Sequence, residues 1–268
     1  MNIEQRFRAF IPEARRIVVK IGTRVIAQKT GRADMRQLKN LVTQIAGLHQ
    51  QGYEVLMVSS GAIGAGVEAL GMKQRPTAVP DLQMCAAIGQ ARLMAHYQEL
   101  FGAQGILIGQ VLLTHSDFNS HIRRTNAKRT MEHIIRQGVI PIINENDVVA
   151  DEEIKAGLSL GDNDYLAALV VKLTRADILV ILSSADGVLD ANGKRVPCFE
   201  NIADARKLVN PEKSSHLSKG GMDSNLAAAQ IAIKAGCGVI IAAGRKQNVL
   251  TSIMAGKDIG TLLLSNVL

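Results

Sequence analysis

The sequence contains no tryptophan, and aromatic residues make up only 3% of its 268 residues. Proteins that bind single-stranded nucleic acid stack bases on aromatic side chains, so this scarcity argues against such a role. No apolar run reaches the roughly 18 residues needed to span a membrane, and the N-terminus has no signal-like apolar stretch. We therefore expect a soluble, cytoplasmic protein.

Cysteine is also scarce, and Cys85, Cys198 and Cys237 form an odd, widely spaced set without a C-x-x-C pair. This pattern suggests neither a disulfide framework nor a zinc ribbon, and a reducing compartment fits it best. The six histidines show no metal-ligand spacing, and no Ser/His/Asp arrangement is readable. The dinucleotide fingerprint G-x-G-x-x-G and the P-loop G-x-x-x-x-G-K-[ST] are both absent.

The excess of positive charge is confined to one end of the chain. The net charge is +7, and residues 1–40 hold ten Lys or Arg against three Asp or Glu, whereas the remainder is balanced at 21 of each. A solvated basic face is the ordinary explanation. An anionic ligand such as a nucleotide also fits, and a dedicated nucleic-acid surface is the weakest interpretation.

Aliphatic residues dominate, with 47% hydrophobic residues overall, and they recur in short β-branched runs. These runs predict strands at residues 17–21, 55–58, 106–113, 139–143, 178–182 and 239–242. Amphipathic segments predict helices at residues 35–51, 82–101, 119–137, 164–176 and 222–235. Strands that alternate with helices indicate an α/β protein with a mostly parallel sheet covered on both faces.

No repeat, low-complexity tract or linker divides the chain, so we expect one continuous domain with two lobes, preceded by a frayed or helical extension at residues 1–14. Residues 186–218 are more polar and rich in turn signals. They are either a flap or hairpin over a site or an ordinary surface excursion.

Three segments that follow predicted strands are suited to anions. Lys20 ends the first strand beside Gly22, where its ammonium can neutralise phosphate oxygens, although a surface lysine is the alternative. The run Ser59–Gly66 leads into a helix, and its glycines let backbone N–H groups approach an anion closely. Gly220-Gly221 opens another helix after Lys219. The first glycine segment is equally compatible with a tight strand–helix turn, and the lone Gly-Gly is a weak signal because such pairs also occur in ordinary turns.

Two tetrads combine carboxylates with amides: Asn144-Glu145-Asn146-Asp147 after a strand, and Gly161-Asp162-Asn163-Asp164 before a helix. Such groups are costly to bury without partners, and strand ends are where open α/β sheets bind ligands. Together with the anion segments they favour phosphoryl transfer, which usually requires Mg²⁺. Asp164 could hold that ion through water or orient the lysines.

Taken in order, V-V-K-I-G-T, V-S-S-G-A-I-G-A-G, N-E-N-D, G-D-N-D and G-G-M resemble the amino acid kinase superfamily. The closest likeness is to the branch that phosphorylates the side-chain carboxylate of glutamate with ATP, in the first step of proline synthesis. The resemblance runs from about residue 17 to 264. It implies a three-layer αβα sandwich, with an extension at residues 1–14 and a kinase domain at 15–268.

The resemblance also implies residue roles. A lobe at about 15–170 would bind glutamate, and a lobe at about 171–268 would bind ATP. Lys20 would contact the transferring phosphoryl group, and Asp164 would organise the catalytic cations. The implied glutamate ligands are Ser60, Gly61, Asp147 and Asn163; the implied ATP ligands are Lys20, Gly22, Ser183, Ser184, Lys219, Gly220, Gly221, Met222 and Asn225.

Further implications are a homo-oligomer, a reductase that takes over the labile acyl phosphate, proline inhibition, and no nucleic-acid or membrane partner. The family's frequent C-terminal RNA-binding-like domain is expected to be missing. Three positions depart from the family pattern. Asn225 stands where a lysine is usual, Ser183-Ser184 replace Thr-Asp, and the segment 155–160 is longer than usual.

Three hypotheses follow. The first is an ATP-dependent glutamate kinase, in which the ionised carboxylate of glutamate attacks without a general base. The second is a sister kinase acting on N-acetylglutamate, aspartate or carbamate. The third is a non-catalytic sensor of glutamate or nucleotide, which the uncharged Asn225 motivates.

Overall fold

The computed structural model describes residues 3–28, 32–150, 162–209 and 221–264. The strands are β1 (Arg16–Ile21), β2 (Glu54–Ser59), β3 (Ile108–Leu113), β4 (Ile140–Glu145), β5 (Ile178–Ser183), β6 (Cys198–Phe199), β7 (Gly238–Ala243) and β8 (Thr261–Leu263). They form one sheet in the order β3-β4-β2-β1-β5-β7-β8-β6, in which only the β7–β8 pair is antiparallel. All six predicted strands are confirmed.

The helices of the described residues are α1 (Ile3–Phe10), α2 (Thr23–Ile26), α3 (Met35–Gln50), α4 (Ala62–Ala69), α5 (Val79–Gly102), α6 (His115–Asn119), α7 (His121–Arg136), α8 (Asp162–Thr174), α9 (Ile202–Leu208), α10 (Met222–Lys234) and α11 (Val249–Met254). A 3₁₀ turn, Ile11–Glu13, follows α1.

Helices cover both faces of the sheet, because successive strand residues point to opposite sides. In β1, Val19 belongs to a core with α3, α5 and α11, whereas Val18 belongs to a second core with α8 and α10. The three-layer αβα architecture expected from the sequence is therefore confirmed.

The helix predicted at residues 119–137 is present as α7, and a short helix that was not predicted, α6, precedes it with a break at Ser120. Thr114 and Asp117 form a capping box at the start of α6, and the Ser120 hydroxyl accepts from the backbone N–H of Arg123 at 3.4 Å. Two capping signals this close together start two helices.

The N-terminal segment is helical, and it packs on the body of the protein. The ring of Phe7 lies against Gly238 so closely that a Cβ there would be 1.9 Å from Cζ. The buried Arg8 guanidinium donates to Lys257 O and Asp258 Oδ1, both at 2.9 Å. The basic end of the chain is therefore not simply a solvated face, since Lys20 is also only 7% exposed.

Helices α4 and α5 pack in direct backbone contact. A Cβ at Gly89 would lie 1.8 Å from Ala62 O, and one at Gly66 would lie 1.9 Å from Cys85 O. We expect Gly89→Ala to lower the free energy of unfolding by about 3 kcal/mol, because a well-packed contact cannot accept another methyl group. Urea unfolding monitored by circular dichroism measures the change.

Gly47→Ala is the matched control for that substitution. Gly47 lies inside α3, and a Cβ there meets no atom within 4 Å. This change should stabilise the protein by about 1 kcal/mol through helix propensity alone. Equal effects at Gly47 and Gly89 would contradict the close helix contact.

Candidate functional site

Strands β2, β3 and β4 lie on one side of β1 in the sheet, and β5 and the later strands lie on its other side. The order of the strands therefore reverses at β1, between β2 and β5. Ligands of open α/β sheets bind outside the carboxyl ends of the strands at such a switch point. A cavity of about 550 Å³ opens there. Every described residue of the predicted site lines it: Lys20, Gly22, Ser60, Gly61, Asp147, Asn163, Asp164, Ser183, Ser184, Gly221, Met222 and Asn225.

A buried ion pair lies in this cavity. Lys20 Nζ, at the end of β1, is 2.5 Å from Asp164 Oδ1 in the first turn of α8. The two residues are 7% and 1% exposed. Lys20 is therefore not a surface lysine that merely ends a strand, since its ammonium is fixed at the bottom of the cleft.

Asp164 has two further partners, both from α10. The Ser224 hydroxyl donates to Asp164 Oδ2 at 2.7 Å. With its amide nitrogen turned toward the carboxylate, Asn225 donates to the two Asp164 oxygens at 3.1 and 3.2 Å. Hydrogen bonds that favour the ionised carboxylate stabilise it where burial would not. Asn225 thus contributes a dipole but no charge.

A chain of amides and hydroxyls joins the two tetrads. Asn163 Nδ2 donates to Ser60 Oγ at 3.0 Å and to Asn144 Oδ1 at 2.9 Å. Asn144 Nδ2 donates in turn to Gln90 Oε1 of α5 at 2.8 Å. These two bonds from one amide nitrogen hold Asn163 beside Ser60 and Asn144, so the tetrads meet as the sequence predicted.

The glycine-rich turn after β2 requires a glycine at its start. Gly61 has φ +113°, a left-handed conformation that side chains disfavour, and it begins α4. Ser59 beneath it hydrogen-bonds Tyr97, with 2.7 Å between the oxygens. Burial raises the pKa of Tyr97 to about 12, against the opposing effect of that hydrogen bond, so the phenol stays neutral.

The other side of the cavity is built by β5, α2 and α10. The Gly22 N–H donates to Leu182 O at 3.2 Å, which joins the turn after β1 to the end of β5. Ser183 Oγ accepts from the Ala185 N–H at 3.0 Å. Gly221 precedes α10 at the opening of the same cavity.

Some sequence expectations lie outside the described residues, namely those for Lys219, Gly220 and the segment 155–160. Residues 186–209 do not line the cavity, and in this described part of the segment Leu189 pairs with Arg195 in a surface hairpin. The prediction of a flap therefore gains no support from residues 186–209.

Among the lining residues that were not assigned to the site are Arg24, Arg75, Asn144 and Glu145, and Ser224 joins the site through its bond to Asp164. Asn144 and Glu145 belong to a tetrad that the sequence does mark, and both are buried. Arg24 and Arg75 carry no such signal, because arginines in turns are usually ordinary surface residues.

Neither a metal-binding cluster nor a membrane-spanning helix is found among the described residues. Within these ranges no group of three or more His, Cys, Asp or Glu side chains is arranged to hold a metal ion. No described helix combines the length and apolar character needed to cross a membrane.

A mostly parallel αβα sandwich with a polar cleft at its switch point is typical of ligand-binding α/β proteins. Comparison of sequences then identifies the family within this class. The sequence model described as the amino acid kinase family matches residues 15–243. The chain belongs to the amino acid kinase family.

Curated relatives carry a narrower description. A glutamate 5-kinase of Moorella thermoacetica is 38% identical over 97% of this chain and 70% of its own length. The glutamate 5-kinase of Clostridium acetobutylicum is 37% identical over 98% of this chain and 98% of its own length. That of Symbiobacterium thermophilum is 40% identical over 92% of this chain and 95% of its own length.

Solved structures show the same fold at low sequence identity. Carbamate kinase from Giardia lamblia has a TM-score of 0.62 at 16% identity, covering 95% of this chain and 100% of that one. UMP kinase from Ureaplasma parvum has a TM-score of 0.59 at 16% identity, and the match covers 93% of this chain and 99% of that one.

Proposed function

We propose that the protein phosphorylates the side-chain carboxylate of glutamate with ATP, giving glutamyl 5-phosphate, the first intermediate of proline biosynthesis. Its family membership implies ATP use, and the glutamate 5-kinase relatives, at 37–40% identity, support glutamate as acceptor. The observation that carries the proposal is the convergence of Lys20, Ser60, Asp147 and Asp164 on one cavity.

The two sides of the cavity suit two different ligands. The acceptor side, which we define as Ser60, Gly61, Asn144, Asp147 and Asn163, offers hydroxyl, amide and carboxylate groups for an amino acid. The nucleotide side, defined as Gly22, Ser183, Ser184, Gly221 and Met222, offers mostly small residues that leave room for a nucleotide. Apart from Gly22, this division matches the lobes expected at about 15–170 and 171–268.

Lys20 lies between these two sides, where a phosphoryl group would pass. Its ammonium stabilises negative charge on the transferring oxygens, and Asp164 holds it there. The acceptor carboxylate is ionised at neutral pH and attacks in line, so no general base is needed. Catalysis then rests on positioning and electrostatics.

The described residues fit Mg²⁺ only as an ion that arrives with ATP. Mg²⁺ keeps several waters and binds through one or two carboxylates together with substrate phosphates. Asp164 is the carboxylate that pairs with Lys20, and it already has three partners. When bound, Mg²⁺ would screen the charge of the phosphates, and Asp164 would orient the surrounding donors.

The test is a hydroxylamine trap for the acyl phosphate. Purified protein with ATP, Mg²⁺ and glutamate should give glutamyl hydroxamate, and Lys20→Ala should reduce it to background. N-acetylglutamate, aspartate and carbamate are compared in parallel by ADP release. Hydroxamate no higher than in the Lys20→Ala control would reject the proposal, and preference for another acceptor would favour a sister kinase.

Asn225 favours one alternative, a protein that binds glutamate or nucleotide without turning it over. The side chain beside Asp164 is an amide, whereas the family pattern has a lysine there. We expect wild-type turnover in the ordinary range of kinases, roughly 1–100 s⁻¹. Turnover far below this range that rises at least about 100-fold in Asn225→Lys would favour the sensor instead.

The product also suggests partners. Acyl phosphates hydrolyse readily, so we propose hand-over to a reductase, and we propose a homo-oligomer by likeness to the family. Crosslinking with a candidate reductase and light scattering test the two ideas separately.

A further inference from the structure

Part of the cavity wall is a very short helix. Helix α2 contributes Thr23, Arg24 and Val25 to the lining, beside the nucleotide side. It has only four residues, and a helix of this length is not stable in isolation. Its position must therefore be fixed by contacts with the rest of the protein.

Arg245, in the turn after β7, supplies three contacts that fix α2. Its Nε donates to Arg24 O at 3.3 Å, and its Nη2 donates to Ala27 O. Its Nη1 donates to Asp34 Oδ2 at 2.8 Å. One guanidinium therefore joins the backbone of α2 to the residue that begins the next helix, α3.

The carboxylate in this set is itself held in place. Asp34 is the N-cap of α3 and accepts from the Gln37 N–H at 3.1 Å. The Arg245 guanidinium holds the pKa of Asp34 below its usual value, so both partners are charged at neutral pH. An exposed ion pair alone contributes little. Arg245 is 45% exposed, but its donors lie in one rigid fork and have three acceptors, which fixes its direction.

The neighbouring glycine packs against the same two parts of the wall. Gln37 Nε2 donates to Gly244 O at 2.7 Å, and the Gly244 N–H donates to Ser183 O at 2.9 Å. A Cβ at Gly244 would lie 2.6 Å from Val25 Cγ1. The turn after β7 therefore contacts both α2 and the end of β5, although neither Gly244 nor Arg245 lines the cavity.

The position of α2 matters because the glycine before it lies beside Lys20. A Cβ at Gly22 would be 3.4 Å from Lys20 Nζ and 3.4 Å from Leu182 O. A displacement of α2 would therefore change the space next to the ammonium, on the side where the phosphates of a nucleotide would lie.

We propose that Arg245 is a positioning residue for the nucleotide side, because it holds α2 at the distance from the end of β5 that a bound nucleotide requires. This inference rests on the proposed function, since it concerns the same cavity. Without the guanidinium, α2 would occupy several positions. Only the fraction of molecules with the correct position would bind nucleotide, so the apparent affinity would fall by that fraction.

Arg245→Gln tests the inference, because it removes the charged fork and keeps much of the side-chain length. ATP and glutamate are varied separately in the kinetic assay. The KM for ATP should rise at least about fivefold, whereas the KM for glutamate should change less than about twofold. Arg245→Lys should recover part of the loss, since it restores the charge beside Asp34 without the planar fork.

Arg195→Gln is the matched control. The Arg195 guanidinium likewise joins an aspartate to a backbone carbonyl, since it donates to Asp258 Oδ1 at 2.9 Å and to Gly260 O. None of these three residues lines the cavity. The control should lower the thermal stability about as much as Arg245→Gln and leave the KM for ATP unchanged. Equal rises of the KM for ATP in both variants would indicate general destabilisation and overturn the inference.

Asp34→Asn replaces Arg245→Gln if thermal unfolding shows that the glutamine variant is not folded. Asparagine is as good an N-cap as aspartate, so α3 keeps its cap while the ion pair with Arg245 is lost. The KM for ATP should again rise, at least about threefold, with the KM for glutamate nearly constant. An unchanged KM for ATP in this variant would then overturn the inference.

Nucleotide binding, measured with a fluorescent ATP analogue, separates this inference from the proposed function. Binding that weakens at least about fivefold in Arg245→Gln but not in Arg195→Gln supports the inference even if wild type makes no glutamyl hydroxamate, which would reject the proposed function alone. Unchanged analogue binding and an unchanged KM for ATP in a glutamate-active Arg245→Gln enzyme overturn the inference alone. A wild-type protein that binds no analogue rejects both.

Discussion

Lys20→Met should lower kcat about 1,000-fold while the protein stays folded and still binds ATP. In the proposed function, the lysine ammonium lies at the junction of the acceptor and nucleotide sides, where charge would develop on the transferring group. Methionine keeps the length and apolar stem of the side chain, so little packing is lost. Asp164 keeps its bonds to Ser224 and Asn225.

The hydroxamate assay measures kcat, and isothermal calorimetry with ATP measures binding. Arg15→Met is the control, because it removes a cation at the opposite end of β1, where the side chain is 80% exposed beside Glu54. A Lys20→Met enzyme that retains a tenth of wild-type kcat would show that the ammonium does not stabilise the transferring group.

Asp164→Ala should destabilise the protein by about 3–5 kcal/mol, because it leaves the buried Lys20 ammonium uncompensated. The Asn225 amide also loses its acceptor, and an unsatisfied buried donor carries a further cost, whereas the Ser224 hydroxyl can still donate to Gly221 O. Activity should be lost as well, since Lys20 would no longer be held in place. Urea unfolding followed by circular dichroism measures the loss of stability.

The double variant Lys20→Met/Asp164→Ala tests whether the pair acts as a unit. Replacing both charges with apolar groups removes the uncompensated ion, so its destabilisation should be smaller than the sum of the single effects by at least about 1 kcal/mol. Strict additivity, or an Asp164→Ala cost below 1 kcal/mol, would mean that water already screens this pair.

The central strands and the contents of the cleft could be predicted because each leaves a local pattern. Strands buried on both faces read as continuous β-branched runs, as in Ile178–Ser183. The two tetrads stand out because carboxylates beside apolar runs are unusual. Parallel strands bring their carboxyl ends to one edge of the sheet, and this geometry predicts that the tetrads and Lys20 converge.

Features that depend on distant contacts could not be predicted. Strand β6 has two residues and exists because its backbone pairs with β8, more than 60 positions away. The location of Arg24 in the cleft follows from the packing of α2 on β5 and β7, which no local motif encodes. The short helix α6 is different, since its capping residues Thr114 and Asp117 are visible in the sequence, yet no helix was predicted there.

The glycine contact between α4 and α5 constrains how the protein can respond to ligands. The first of these helices starts at the turn beneath Ser60, and the second carries Gln90, which anchors Asn144. Their backbones touch at Gly66 and Gly89, so neither helix can slide past the other. If these two helices move during turnover, they must therefore move together as one rigid unit.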